Sequence, residues 1–211
     1  MPKTDLKKEL KHLYSPSAKE VALVEVPEMN FLMVDGAGDP NSSPAFQEAV
    51  EALYGVSYTL KFSVKKGGGP DYAVAPLEGL WWMDDPKGFD VDKKDQWKWT
   101  LMIAQPDFIT SSMVEDAVKQ VKGKKDSPSL AGIRFDTHDE GAAVQIMHIG
   151  PYAEEGPTIA KLHDFSEQNG YELTRKHHEI YLSDPRRCAP EKMKTILRHP
   201  VRVGQGRDEL K

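Results

Sequence analysis

Two stretches of the chain carry the same order of apolar and polar positions. Residues 21–36 read as two short strand patterns, Val21 to Val26 and Phe31 to Val34, around a Pro27-Glu28-Met29-Asn30 turn, ending at Gly36. Residues 133–150 repeat the plan: Ile133 to Asp136, a turn over His138 to Gly141, then Ala143 to Ile149, ending at Gly150. The two glycines are 114 residues apart.

A helix is expected after each glycine. The first starts near Ser42-Ser43-Pro44, a serine cap followed by a first-turn proline, with Phe46, Val50, Leu53 and Tyr54 at helical spacing. The second starts near Gly156-Pro157, with Ile159, Leu162, Phe165 and Ser166 on one face and Asn169-Gly170 as its stop. Two strands then follow in each copy: Tyr72 to Met83 and Trp97 to Ile103, then His177 to Leu182 and Thr195 to Val201. Asp85-Pro86 and Asp184-Pro185 lie only 99 residues apart, which predicts an insertion in the first copy, placed at Ser57 to Pro70 with its Gly67-Gly68-Gly69 loop. Met113, Val114, Ala117, Val118 and Val121 predict an amphipathic connector helix over Ser111 to Lys122, with Gly123 as its stop.

The predicted class is α+β: two tandem strand-helix-strand-strand modules, an antiparallel sheet with helices on one face, and a central ligand cleft. Residues 1–20 read as an extension. Module one spans about 21–110, the connector and linker 111–130, and module two 131–205, within one domain of 21–211.

Composition narrows the function. The chain has 211 residues, 39% hydrophobic and 29% charged, which fits a folded protein rather than a disordered one. A net charge of −5, with basic residues gathered only at Lys119 to Lys125 and Arg186-Arg187, argues against nucleic acid as a partner. The lone Cys188 allows no internal disulfide and reads as a bystander thiol. Neither a secretory h-region nor a membrane-length apolar run is present, so a cytoplasmic protein without a membrane partner is expected. The oligomeric state stays open, with a homodimer among the options.

The segment His177-His178-Glu179-Ile180-Tyr181-Leu182 carries the most chemistry. Strand alternation puts His177, Glu179 and Tyr181 on one face and His178, Ile180 and Leu182 on the other, read as helix-facing core. Adjacent histidines on opposite faces cannot share a metal ion, so no metal is expected. The triple glycine lacks a phosphate-loop ending, and no cofactor is expected. Matching the Asp-Pro pairs sets Tyr181 beside Trp82 and Glu179 beside Leu80. One copy then has a carboxylate where the other has an aliphatic. Trp82, Trp99, Tyr58, Phe108, His177 and Leu80 are candidate ligand contacts, and Glu179, Tyr181 and Tyr152 candidate catalytic residues.

The runs His148-Ile149-Gly150-Pro151-Tyr152, Pro157-Thr158-Ile159, Asn169-Gly170-Tyr171 and His178 to Pro185 resemble the GyrI-like small-molecule-binding proteins, especially stand-alone members of this size. The resemblance is most specific over 144–187. It implies an aromatic or cationic small-molecule ligand, met by a cleft glutamate at the position of Glu179. It further implies either hydrolysis of cyclopropane-bearing genotoxins, binding of lipophilic cations, or gyrase inhibition. Only 20 residues precede the first strand pattern, so a transcription factor with its own helix-turn-helix is not expected.

Overall fold

The computed structural model describes residues 3–84, 92–124, 127–174 and 176–204. In chain order its elements are α1 (Leu6–Glu9), α2 (Lys11–Tyr14), β1 (Ala22–Val26), β2 (Met29–Ala37), α3 (Pro44–Lys66), β3 (Leu77–Trp82), β4 (Lys98–Gln105), α4 (Ser111–Lys122), α5 (Pro128–Ala131), β5 (Arg134–His138), β6 (Gly141–Ile149), α6 (Gly156–Gln168), β7 (Tyr171–Leu173), β8 (His177–Tyr181) and β9 (Lys194–Val203). The fold is α+β with antiparallel strands, as the periodicity predicts. The Asp85-Pro86 landmark lies outside the described residues.

The chain divides into two compact units. One holds the chain to Glu9 and from Met29 to His138; the other holds Leu10–Glu28 and the chain from Asp139 onward. In the first, the strands order β3-β4-β2-β5; in the second, β1-β6-β9-β8, with β7 also on β9. The two strands flanking each predicted turn, β1 with β2 and β5 with β6, therefore do not pair with each other. β1 pairs with β6, Val26 opposite Gly141, and β2 pairs with β5, Met29 opposite His138. Alternation fixes which face of a strand is buried but leaves its partner free.

The residues before β1 are not an appendage. Leu13 and Tyr14 are buried, and the carbonyls of His12 and Leu13 accept hydrogen bonds from Gln145 Nε2 (2.8 Å) and Arg198 Nη2 (3.0 Å). The insertion in the first copy is a longer helix: α3 has 23 residues and α6 has 13. Ser57 to Lys66 continues the helix, and only Gly67 onward is loop. The expected strand from Tyr72 shrinks to Leu77–Trp82, because Pro76 supplies no ladder donor. Tyr72 instead makes an isolated bridge with Thr4.

In the first unit, α3 covers one face of the sheet. Phe46 on α3 stacks on Trp81 (ring centroids 5.9 Å) and meets Trp99 edge-on (5.3 Å), while Gln105 reaches Ser57 on the same helix. Gly36 lies beneath Trp99, where a Cβ would come within 2.1 Å of the ring, so no larger residue fits without moving the indole. In the second unit, Leu162 of α6 packs on Val144, Ile146, Leu197 and Val201. Each fully buried aliphatic of this kind contributes roughly 1.5–3 kcal/mol.

Candidate functional site

Three strands of the second unit present a mixed row of side chains toward α6. His148 of β6 stands opposite Thr195 of β9, which stands opposite Tyr181 of β8. One row on, Ile146, Leu197 and Glu179 line up. The shared face predicted for His177, Glu179 and Tyr181 is the α6 face of this unit. On the opposite face His178 and Ile180 are both buried, and the core there is partly ionic. There His178 Nδ1 lies 2.9 Å from Glu140 Oε1, and Arg198 bonds to Glu140 Oε2 (3.1 Å) and to Gln145, all buried.

The Tyr181 hydroxyl donates to Glu179 Oε2 at 2.7 Å. The Tyr152 ring meets the Tyr181 ring edge-on at 5.6 Å and stays 40% exposed. Between Tyr152 and α6 lies the residue that sequence reasoning missed, Glu155, which is 5% exposed and sits at the helix N-cap. Its position follows from the loop that carries it. His148 is buried, with Nδ1 3.0 Å from Thr158 Oγ1 and Nε2 3.3 Å from the Pro151 carbonyl, so both sides of the Pro151-to-Glu155 turn are tied to β6. Gly150 enters that turn at φ +144°, and a Cβ there would press on His148 at 3.1 Å, which requires glycine.

Glu155 Oε1 and Thr195 Oγ1 are both buried without an aligned hydrogen-bond partner. Burial first, and then the charge of Glu179, push the Glu155 carboxyl up to about 9; the nearby Thr195 hydroxyl pulls the other way. At neutral pH the buried Glu155 carboxyl thus keeps its proton, in a site that also holds the carboxyl of Glu179. Two carboxyl groups with environments this different can divide acid and base roles.

A stability consequence follows. Between the ordinary carboxyl value of 4.5 and about 9, the folded chain keeps a proton on Glu155 that the unfolded chain releases. Stability from this group is complete below the lower value and is lost as pH rises toward the upper one. Glu155→Gln removes that dependence. Relative to the wild type, its stability should rise from pH 5 to 9, by on the order of a few kcal/mol over that range. Melting curves across that range check it; parallel curves for the two proteins would contradict the buried neutral acid.

The other candidates fall in different places. His177 lies beside Glu179, with Nε2 3.3 Å from Oε1. Trp99 is 1% exposed within the first unit's aromatic core, so it is a packing residue rather than a ligand contact. Phe108 packs edge-on against Tyr72 at 5.6 Å. Tyr58 lies on α3, 47% exposed, stacked between Tyr54 and Phe62. Leu80 and Trp82 alternate away from the face that α3 covers, and Leu80 is buried there.

The alignment that joined Trp82 to Tyr181 is therefore shifted by one residue. On the helix-covered faces, the row Gly36-Trp99-Trp81 answers His148-Thr195-Tyr181, and Gly79 answers Glu179. The first copy has no side chain at all where the second has its carboxylate. Among the described residues no cluster of three or more metal-ligating side chains occurs. No helix among them is long and apolar enough to cross a membrane.

Comparison with solved structures finds close relatives along the whole chain. An uncharacterized conserved protein from Listeria innocua is 45% identical, with a TM-score of 0.88, over 95% of this chain and 100% of that one. A hydrolase encoded by lin2189 from Listeria innocua is 44% identical over the same shares, with a TM-score of 0.86. A further structure of a hydrolase from Listeria innocua is 44% identical, again over 95% and 100%, with a TM-score of 0.83. No curated protein matches. The model of the GyrI-like small molecule binding domain matches residues 19–202, and the chain belongs to that family.

Proposed function

We propose that this protein is a cofactor-independent hydrolase that opens strained cyclopropane rings conjugated to an aromatic, carbonyl-bearing electrophile. The carrying observation is the unlike pair of carboxyl groups: Glu179, oriented by the Tyr181 hydroxyl, and Glu155, buried and neutral. The kinship with Listeria hydrolases supports the same reading.

Glu179 takes a proton from water as the water oxygen bonds to a cyclopropane carbon. The ring C–C bond breaks, and its electron pair passes through the conjugated system to the carbonyl oxygen. Glu155 gives its proton to that oxygen, which becomes a phenol. One water is added, nothing is oxidised or reduced, and the two carboxyl groups end with their protons exchanged. A proton moved back through solvent resets them.

Tyr181 donates its hydroxyl proton to Glu179 and so positions the base, while Glu155 serves as the acid. Tyr152 offers an exposed ring on which a planar substrate can stack, worth about 0.5–1.5 kcal/mol.

A second reading is reversible binding of lipophilic cations. It is favoured by the carboxylate of Glu179 beside the Tyr152–Tyr181 ring pair. One experiment separates the two. Purified protein is mixed with a spirocyclopropyl-cyclohexadienone, and the dienone absorbance and product mass are followed. Loss of the dienone with a product heavier by one water is expected. A compound bound and then recovered intact would refute hydrolysis and leave the binding role. Detoxification of such electrophiles implies work inside the cell, where their DNA target lies.

A further inference from the structure

Beyond Glu179 on the same face lie three histidines from three elements. His177 of β8 is next to Glu179, and its ring tilts against His199 of β9 at 5.8 Å. His199 meets His163 of α6 edge-on at 6.1 Å. His177 Nε2 is buried and makes no aligned hydrogen bond, and the acceptor near it is Glu179 Oε1 at 3.3 Å.

We propose that His177 is a positioning residue for Glu179: it holds Oε1 of the carboxylate as the Tyr181 hydroxyl holds Oε2, and the His199 and His163 rings brace it. This rests on the hydrolytic reading of the site. A carboxylate fixed at both oxygens cannot swing, so the lone pair that accepts the proton keeps one direction. The 3.3 Å spacing is that of a contact ready to tighten, since catalytic hydrogen bonds are often long before substrate arrives.

The rest of the ladder suits a brace. His199 is pushed down to about 3, by burial first, then by the charges of His177 and His163, with Glu140 opposing. His163 is lowered too, by burial and then by His177, with Asp164 opposing. At neutral pH His199 therefore supports His177 as an uncharged ring and does not compete for Glu179.

The test uses wild type, Glu179→Gln, His177→Gln, His177→Asn and His177→Phe on the spirocyclopropyl-dienone. A glutamine amide nitrogen can reach the place of Nε2, whereas an asparagine amide is one carbon shorter. With a wild type that turns over, His177→Phe should lower kcat roughly tenfold to a hundredfold, the scale of a small misplacement of a catalytic group, with KM within about twofold. His177→Gln should recover most of the loss, and His177→Asn should not. Wild-type kcat in His177→Phe, or equal behaviour of the Gln and Asn variants, would overturn the proposal. Should His177→Phe fail to fold, the Gln–Asn comparison decides alone. A wild type that turns nothing over is a different outcome, marked by Glu179→Gln matching it, and it refutes the hydrolytic reading itself.

Discussion

Exchanging Glu179 for glutamine should cut turnover of a cyclopropane-bearing electrophile by about 10²–10⁴-fold, the usual contribution of a positioned general base. The amide keeps the shape and can still accept from Tyr181 at the place where the 2.7 Å bond forms. It cannot take a proton from water. KM should move little, because ring stacking on Tyr152 does not need the charge. The variant has a second signature. With the charge of Glu179 gone, one of the two causes that hold Glu155 high disappears, so the Glu155 carboxyl should descend while burial keeps it above the ordinary range. In the wild type, the basic limb of kcat/KM should fall near 9 as Glu155 loses the proton it must donate. Steady-state kinetics across pH 6 to 10 checks both parts. Equal kcat for wild type and Glu179→Gln would remove Glu179 from the mechanism, and a flat basic limb would remove Glu155.

Removing Glu140 should cost a large part of the stability. Its carboxylate meets His178 Nδ1 at 2.9 Å and Arg198 Nη1 at 3.1 Å, and all three side chains are about 1% exposed. Glu140→Leu leaves the Arg198 guanidinium buried without its counter-charge. Breaking such a pair typically costs about 3–5 kcal/mol. Replacing Glu140 and Arg198 together by apolar residues should cost clearly less, because no buried charge is orphaned. The double change also releases the Arg198 bond to the Leu13 carbonyl, so part of the penalty persists as loosening of the segment around α2. Urea unfolding of the two single variants and the double variant measures the coupling. Additive losses would show that the ion pair is not what holds this face together.

Alternation along His177 to Leu182 was enough to bring Glu179, Tyr181 and His177 to one face, because period two is a property of the strand itself. The connector helix was equally legible, its Met113-to-Val121 stripe spanning α4 from Ser111 to Lys122. Glu155 was not legible. It lies in a turn between two periodic segments, and the Glu154-Glu155 pair gives no sign that the second residue is buried and the first exposed. Only the ties of His148 to Thr158 and Pro151 decide that. The one-residue error at Trp82 has a similar origin. Asp-Pro landmarks lie beyond the strand ends and carry no information on parity, whereas the ladder rows do. The ionic network on the His178 face was not legible, because it joins a glutamate and an arginine 38 and 20 positions away, beyond any local pattern.

The exchange of partners by β1 and β5 bears on how the chain can fold as it is made. β1 leaves the ribosome well before its antiparallel neighbour β6, so Ala22 must wait for Gln145 and Val26 for Gly141. The first unit closes its sheet once β5 has emerged, while the second still lacks every strand but one. Pairings this distant along the chain slow folding, because the loop must be closed before any contact rewards it. A nascent chain is therefore expected to carry β1 as an unpaired edge until Gly141 is made, 115 residues after Val26, a window in which a chaperone or a neighbouring chain can reach it. Cutting the gene at the boundary between the repeats would not yield two self-sufficient halves, since the piece beginning at Asp139 would lack the strand that completes its sheet.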